Sequence, residues 1–546
     1  MKTLTRLQVL EKQNKDLRIR LENREGKAEL ALSSAEEELK SMSAQLRASQ
    51  ATIAMLQKEI GDLTRELEAD EGLREEEARA RIEIAVAAAT APLLDELGKA
   101  LLEIARLKAI INKDSSNSSK PSSKNGFKKI PNSREKSKRP RGGQKGHPGH
   151  RLDLPENMDE LVEKGIIKKQ LIDYTGGSAE YVSRYVIDVE VVATVTEYRY
   201  SPDAQLPENQ YNEVSYGDNI KAMSVLLLNE GIIAEKRFSE ILTGLTQGVV
   251  TISPATLEKF NAQFGKKLES SGELDAIIED LLNGDLMHVD DTPLRCAETV
   301  EYLEDGTELI KTAEGTSFTA TVRTYSNETA TFYTVNPKKD NEGVVRDGIL
   351  PRYFGTVSQD HESKFYKYGT RHSTCGEHLL RDLKGLRDLQ MIPWAEDMRA
   401  FVSGMNKHKN KDLERNIAAC DPELLAGFEQ MYDELLERGR ADFALKEEGD
   451  FGYTEFKRML NRLTKYKDCY MLFMRDYKVP FTNNMAERDL RAEKTKEKVS
   501  LLFRSWNGIK NHARIRSFIS TAKKRGMDLF SAIIKVNNGD AALRKA

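Results

Sequence analysis

Three acidic positions and one histidine–cysteine cluster are where this 546-residue sequence could do chemistry. Residues 284–295 read GDLMHVDDTPLR, a short strand ending at a carboxylate and a proline. It delivers Asp290 with Asp291 beside it, and because adjacent strand side chains point to opposite faces, only one of the two can serve a given site. Residues 353–360 (YFGTVSQD) form another short strand ending in an acid, Asp360. Residues 482–491 (TNNMAERDLR) open a helix, with Thr482 or Asn483 at the N-cap and Glu487 in the first turns. Three carboxylates brought together repel unless cations neutralise them, which implies hard divalent metals with oxygen ligands. Two such ions ~3.5–4 Å apart would polarise a phosphate, activate water or a 3′-hydroxyl and stabilise the leaving oxygen. The chain has 87 acidic residues, so accidental triplets are many and composition alone does not select these three. His372, Cys375 and His378 form HxxCxxH at a strand-to-helix junction. Three ligands are one short of a closed zinc site, so packing or substrate contact is the preferred role and no zinc is expected.

The elements needed to gather the acids can be read around them. Strand patterns at 319–325 and 329–335 are followed by a helical stretch at 343–350 and then by the strand that ends at Asp360. Consecutive strands, a helix and a strand that rejoins beside the first would make Asp290 and Asp360 neighbours. Residues 384–479 are helical in pattern with little strand character, a helical insertion ahead of Glu487.

The N-terminal part has a different character. Residues 39–67 carry a heptad with Leu39, Leu46, Ile53, Ile60 and Leu67 at a and Met42, Ser49, Leu56 and Leu63 at d. An earlier seam runs through Leu7, Leu10, Asn14, Leu17 and Leu21, and a third run after Pro92 passes Leu94, Leu97, Leu101, Ile104 and Ile111. This favours a coiled-coil arm that self-associates, over helices that fold back on their own chain. Residues 113–152 are rich in Ser, Asn, Lys, Pro and Gly and read as a basic linker, equally a plain tether or an arm that enters a minor groove. Val, Tyr and Thr between 181 and 200 suggest two short strands. Residues 216–263 turn helical, with Ser253 as N-cap and Pro254 at the first helical position of one helix. A helix-turn-helix fits this stretch, as does any small helical bundle.

Composition excludes several classes. Hydrophobic residues make up 39% and charged residues 31% of the chain, enough for a core, and no apolar run approaches the ~20 residues needed to span a bilayer. No secretory signal is visible at the N-terminus, and four cysteines without a CxxC pair fit a reducing cytoplasm. The net charge of −3 hides a balance of −6 over residues 59–83, +10 over 113–151 and +9 over 488–525. Two basic blocks in a slightly acidic chain point to localised contacts with a polyanion, nucleic acid foremost.

From about Asn117 onward the sequence resembles bacterial transposases of the insertion sequence 66 family. The resemblance rests on NSSKPSS (117–123), RGGQKGHPGH (141–150), YGDNIKA (216–222), HVDDTPLR (288–295), GILPRYFGTVSQD (348–360), CGEHLLRDL (375–383), NNMAERDLR (483–491) and RIRSFISTAKKRG (514–526), in the family's order. It implies an α/β multidomain protein with a ribonuclease H-like catalytic domain, and a DDE triad of Asp290, Asp360 and Glu487 holding two Mg²⁺ or Mn²⁺ ions. Asp291 stands where relatives usually have Glu, beside the catalytic acid. The implied activity is metal-dependent DNA end cleavage and strand transfer; the alternative is a catalytically silent or repurposed oligomeric DNA-binding protein. Relatives often carry CxxC pairs in the β region, absent here from 171–179 and 198–207, and often His where Gln359 precedes Asp360.

The organisation that follows is a coiled-coil arm (1–112), basic linker (113–152), small β region (153–215), helix-turn-helix-like DNA-binding region (216–275), first part of the catalytic core (276–383), helical insertion (384–480), and last part of the core with basic helices (481–546). DNA contacts are expected from Arg141 and Lys145 in the linker. Arg488 and Arg491 would position the scissile backbone, and Lys494, Lys496, Lys498, Arg514, Arg516, Lys523 and Lys524 would hold flanking duplex. Expected partners are transposon-end and target DNA, further copies of the chain and accessory proteins of the same element. The expected location is the cytoplasm, on the nucleoid when bound to DNA.

Overall fold

A computed structural model of the protein describes residues 212–315 and 317–543, with parts of 51–62, residues 75–111, 113, 117 and 154–173, and most of 180–205. Arg141, Lys145, the seam at residues 7–21 and most of the seam at 39–67 lie outside the described residues. Helices α1 (Glu75–Ile111), α2 (Met158–Glu163), α3 (Asp218–Asn229), α4 (Glu235–Leu245), α5 (Pro254–Ser270) and α6 (Glu273–Asn283) precede the first strand. Ser253 caps α5 as its sequence suggests, its hydroxyl accepting from Thr256 N at 3.1 Å, with Pro254 following it.

A mixed sheet follows. Strands β1 (Leu286–Cys296), β2 (Glu298–Tyr302), β3 (Glu308–Thr312), β4 (Phe318–Ser326) and β5 (Thr331–Asn336) lead to helix α7 (Asn341–Asp347), then β6 (Thr356–Gln359) and β7 (Arg371–Thr374). Five of them form a sheet in the order β5-β4-β1-β6-β7, while β2 and β3 make a separate hairpin. β4 runs antiparallel to β1 and β5; β6 is parallel to β1, and β7 to β6. β1 does not stop at its acids: it continues through Pro293 to Cys296, still paired with β4. Its pairing with β6 ends at His288. Beyond that point this edge of β1 has no partner strand until Phe503 bridges to its last residues, and the gap opens a fork between β1 and β6.

Helices α8 (Gly376–Gln390), α9 (Trp394–Glu414), α10 (Pro422–Ala444), α11 (Tyr453–Lys465) and α12 (Lys467–Arg475) come next, and α13 (Asn484–Ser500), α14 (Trp506–Lys524) and α15 (Leu529–Asn537) close the chain. One core lies on the sheet face of Met287, Val289 and Tyr325, covered by α3, α5, α6, α14 and α15. A second joins Leu294, Val322 and Tyr333 to Leu490 of α13 and Trp506 of α14. The insertion has its own core around Trp394, Met398, Leu436 and Phe456, to which α8 contributes Leu379, Leu383 and Leu386. Edge strand β5 is covered by α14: Ser517 Oγ accepts from Tyr333 N at 2.9 Å, and Thr521 Oγ1 accepts from Thr331 N at 3.0 Å and donates to Thr331 O at 3.1 Å. Hydroxyls thus take the place of a further strand and satisfy the edge.

Several expectations need revision. The described residues of 182–200 form no strand, and Val186, Val189 and Val195 are exposed. Strand-forming side chains make a strand only against a partner and a covered face, and here they have neither. The last turns of α1 pack on α8 and bury Ile104 and Leu107, whereas Leu94 and Leu101 of the same run stay exposed. That end of the arm folds back on its own chain. α3 and α5 share a core with α4 (Leu228, Phe238, Leu242, Phe260) and also belong to the sheet core through Ala222, Val225, Phe264 and Leu268. The 216–275 region is therefore fused to the sheet, and the division at 275/276 falls inside α6. That at 383/384 falls inside α8, whose apolar face belongs to the insertion.

Gly376 is one of the closest approaches among the described residues. It opens α8, its N–H donates to Phe481 O at 2.8 Å, and a Cβ at this position would fall within the Phe481 ring. Gly376→Ala should lower stability by about 1–3 kcal/mol through forced overpacking, read as a lower thermal midpoint; an unchanged midpoint would show that this contact is loose.

Candidate active site

Asp290 lies half-buried on β1 just past the last pairing with β6, and Asp360 follows directly on β6, so the two acids stand at the two prongs of the fork. Asp290 Oδ1 accepts from Asp291 N at 2.8 Å. Glu487 comes from the first turn of α13, which lies across β1.

Asn483 sets the position of that helix. It occupies the N-cap position but does not cap with its side chain, and it is fully buried. Its Nδ2 donates to Val289 O at 2.9 Å, and its Oδ1 lies 2.9 Å from His288 Nδ1. Since the amide nitrogen is the donor, Oδ1 is the acceptor and His288 carries its proton on Nδ1. Burial pushes the His288 pKa down to about 4, against the opposing effect of its hydrogen bond to Asn483 Oδ1, so this clasp keeps its charge state at neutral pH. Two residues past Glu487, Asp489 accepts from Ser326 Oγ at 2.7 Å, Thr331 Oγ1 at 3.0 Å and Lys524 Nζ at 3.1 Å. The acid-bearing turn of α13 is anchored on both sides.

Asp360, Cys375, His378 and Glu487 each offer a ligand atom, and these atoms all lie within 4.8 Å of one another. His378 Nδ1 is 3.4 Å from Asp360 Oδ2 and 3.7 Å from Glu487 Oε1. Burial opposes the charged imidazole, but Asp360 and Cys375 outweigh it and push its pKa up to about 11. Burial, followed by the charges of Asp360, Asp291 and Glu487, holds Asp290 well above the usual carboxylate range. Asp360 Oδ1 is buried without a hydrogen-bond partner. An ionised carboxylate only accepts, so convergent acids with an unpartnered oxygen fit a divalent cation.

Asp291 faces the other way. Its fully buried carboxylate sits 2.7 Å from Lys339 Nζ, 2.6 Å from Lys364 Nζ and 3.5 Å from Arg323 Nη2, and the buried Arg323 also pairs with Asp347. Burial works to raise the Asp291 pKa, but Lys339 and Lys364 hold it below the ordinary value.

The positions expected to contact DNA divide into two groups. Arg488, Arg491, Lys494 and Lys498 are exposed on α13. Arg516 is buried instead, 2.6 Å from Glu230 and 3.7 Å from Glu493, and Lys524 donates to Asn327 O at 2.8 Å and to Asp489. Lys496 reaches Leu228 O at 3.4 Å, Arg514 pairs with Glu269 at 2.6 Å, and Lys523 pairs with Glu230. Arg516 and Lys524 thus balance acids inside the packing, whereas Lys496, Arg514 and the exposed Lys523 tie neighbouring elements together nearer the surface. Of the HxxCxxH cluster, Cys375 and His378 reach the acids, while His372 packs beside the Tyr366 ring at 5.1 Å. Sequence reading missed the Asn483 clasp and the partners of Asp291; the CxxH spacing was the one visible signal for His378.

Residues 213–511 match the family described as Transposase IS66 family, more than half of the chain. The protein belongs to the IS66 family of transposases. Residues 65–153 match a family of unknown function, DUF6444. Among curated proteins and among solved structures, none matches the chain.

Asp291→Asn should destabilise the fold by about 3 kcal/mol at neutral pH, because it leaves buried Arg323 short of a counter-charge. The ion pairs of Asp291 contribute above the ordinary Asp pKa and fade as pH falls through its depressed value, so the variant should also lose part of the wild type's acid sensitivity. Denaturant unfolding at pH 7 and pH 3 measures both; equal stability of the two proteins at pH 7 would refute the assignment.

Proposed function

We propose that the protein is a DNA transposase that cuts the ends of an insertion sequence and joins them to target DNA, with Asp290, Asp360 and Glu487 as its catalytic acids. The observation that carries this reading is the approach of Asp360, at the end of β6, and Glu487 of α13 within 4.8 Å of one another, with Asp290 of β1 close enough for their charges to raise its pKa. Three antiparallel strands followed by two parallel ones support a ribonuclease H-like core. These acids would hold two Mg²⁺ or Mn²⁺ ions. Bound there, the ions would polarise the scissile phosphate, activate water or a 3′-hydroxyl and stabilise the leaving oxygen.

The chain's own residues supply the positioning. Asn483 and Asp489 hold Glu487 over β1, so the acids meet the substrate already arranged. Arg488, Arg491, Lys494 and Lys498, spaced by three and four residues, lie along a stripe of α13 that starts beside Glu487. Arginine forks suit the phosphates nearest the cut, and the lysines hold the duplex beyond it. The heptad seams at residues 7–21 and 39–67 would bring copies of the chain together on paired DNA ends. No helix among the described residues is long and apolar enough to cross a membrane.

Asp290→Asn, Asp360→Asn and Glu487→Gln should each abolish end cleavage and strand transfer in Mg²⁺ while DNA binding persists; cleavage by any one of them removes that residue from the triad. Replacing Lys494 and Lys498 together should weaken binding to all sequences alike. It should also reduce the slope of log affinity against log salt by about 2, at roughly 0.9 per lost phosphate contact. An unchanged slope would detach this stripe from DNA.

A further inference from the structure

We propose that His378 is a metal ligand, and that Asp360, His378 and Glu487 form a mixed nitrogen–oxygen site that selects transition metals such as Mn²⁺ and Co²⁺ over Mg²⁺. This rests on the reading above only in taking Asp360 and Glu487 as cation ligands. His378 Nδ1 lies between the two carboxylates, 3.4 Å from one and 3.7 Å from the other. The nitrogen and Asp360 Oδ1 are both buried and neither has a hydrogen-bond partner. In the metal-free protein the imidazole proton faces the two carboxylates, and a divalent cation that displaces this proton would leave the nitrogen and the oxygens as ligands around common space.

The local fold holds the imidazole there. Cys375 stands at the N-cap of α8 and His378 three residues on, so both side chains serve the same end of the helix. Gly376 locks that end against Phe481, three residues before α13 begins. The Cys375 thiol, 1% exposed and within the same 4.8 Å, closes the buried side. Mg²⁺ requires oxygen ligands in near-ideal octahedral geometry, whereas imidazole suits borderline metals, and affinity rises from Mn²⁺ through Co²⁺. Three protein donors leave positions open for phosphate oxygens.

The test uses metal-free full-length protein with Co²⁺ as the probe, followed by its visible absorption, and Mg²⁺ affinity by competition. His378→Ala should weaken Co²⁺ binding by roughly 100-fold, at the upper end of what even an outer-shell partner costs, while Mg²⁺ affinity changes far less. Loss of both affinities in parallel would mean that His378 only spaces the acids, and unchanged Co²⁺ affinity would mean that it is no ligand; either overturns the proposal. Should the variant fail to fold, pulsed electron paramagnetic resonance of Mn²⁺-loaded wild type decides. Imidazole nitrogen coupling is expected, and its absence overturns the proposal. Failure of the transposase reading would appear as absent DNA cleavage by the Mg²⁺-loaded enzyme, a result that leaves the Co²⁺ measurement standing.

Discussion

The Asp360 and Glu487 carboxylates come within 4.8 Å of one another at the fork of the sheet, with Asp290 of β1 near enough to feel both charges, and the surrounding structure has to resist their repulsion. Two like charges 4 Å apart repel by about 4 kcal/mol at an effective dielectric constant of 20, several times the net worth of one hydrogen bond. No single contact could hold them. Asn483 grips β1 at Val289 and His288, Asp489 grips β4, β5 and α14, and Gly376 welds α8 to the segment ahead of α13. Placing Glu487 in the first turn of α13 adds the favourable end of a helix dipole. What remains uncompensated is the attraction the site has for cations.

The same constraint explains the division of labour between Asp290 and Asp291. Adjacent on one strand, they face opposite sides of the sheet. One meets other acids, and the other meets Arg323, Lys339 and Lys364. The second arrangement stabilises the centre of the fold through charge pairing, while the first holds charge in reserve for a ligand. α8 links this centre to the insertion: its N-terminus presents Cys375 and His378, and its apolar face lies in the insertion core with Trp394 and Met398. A change in the packing of the insertion therefore reaches the end of α8 that carries Cys375 and His378 through a rigid element.

Much of this was legible in the sequence because the signals were local. Strand-like stretches located β4, β5 and β6, Ser253-Pro254 located the start of α5, and the long helical run located the insertion. The motif resemblance singled out Asp290, Asp360 and Glu487, which composition could not. Interactions between distant segments were not legible. Arg516 and Lys524 belong to a basic block by composition, yet their partners Glu230, Glu493 and Asp489 lie on other elements, and only packing reveals that they face inward. Asn483 reads as a cap because capping is local; its bond to β1 spans 194 residues. The Val- and Tyr-rich run near residue 190 failed in the opposite sense, since strand propensity is realised only with a partner.

A scaffold that holds acids against their repulsion should be stabilised when a cation relieves it. Thermal unfolding of the full chain across a Mg²⁺ titration, starting in chelator, tests this most directly. The midpoint should rise and follow the logarithmic dependence of a ligand that binds only the folded state, and Asp360→Asn should flatten that response. A wild-type midpoint that is the same in chelator and in excess Mg²⁺ would contradict a cation centre at these residues.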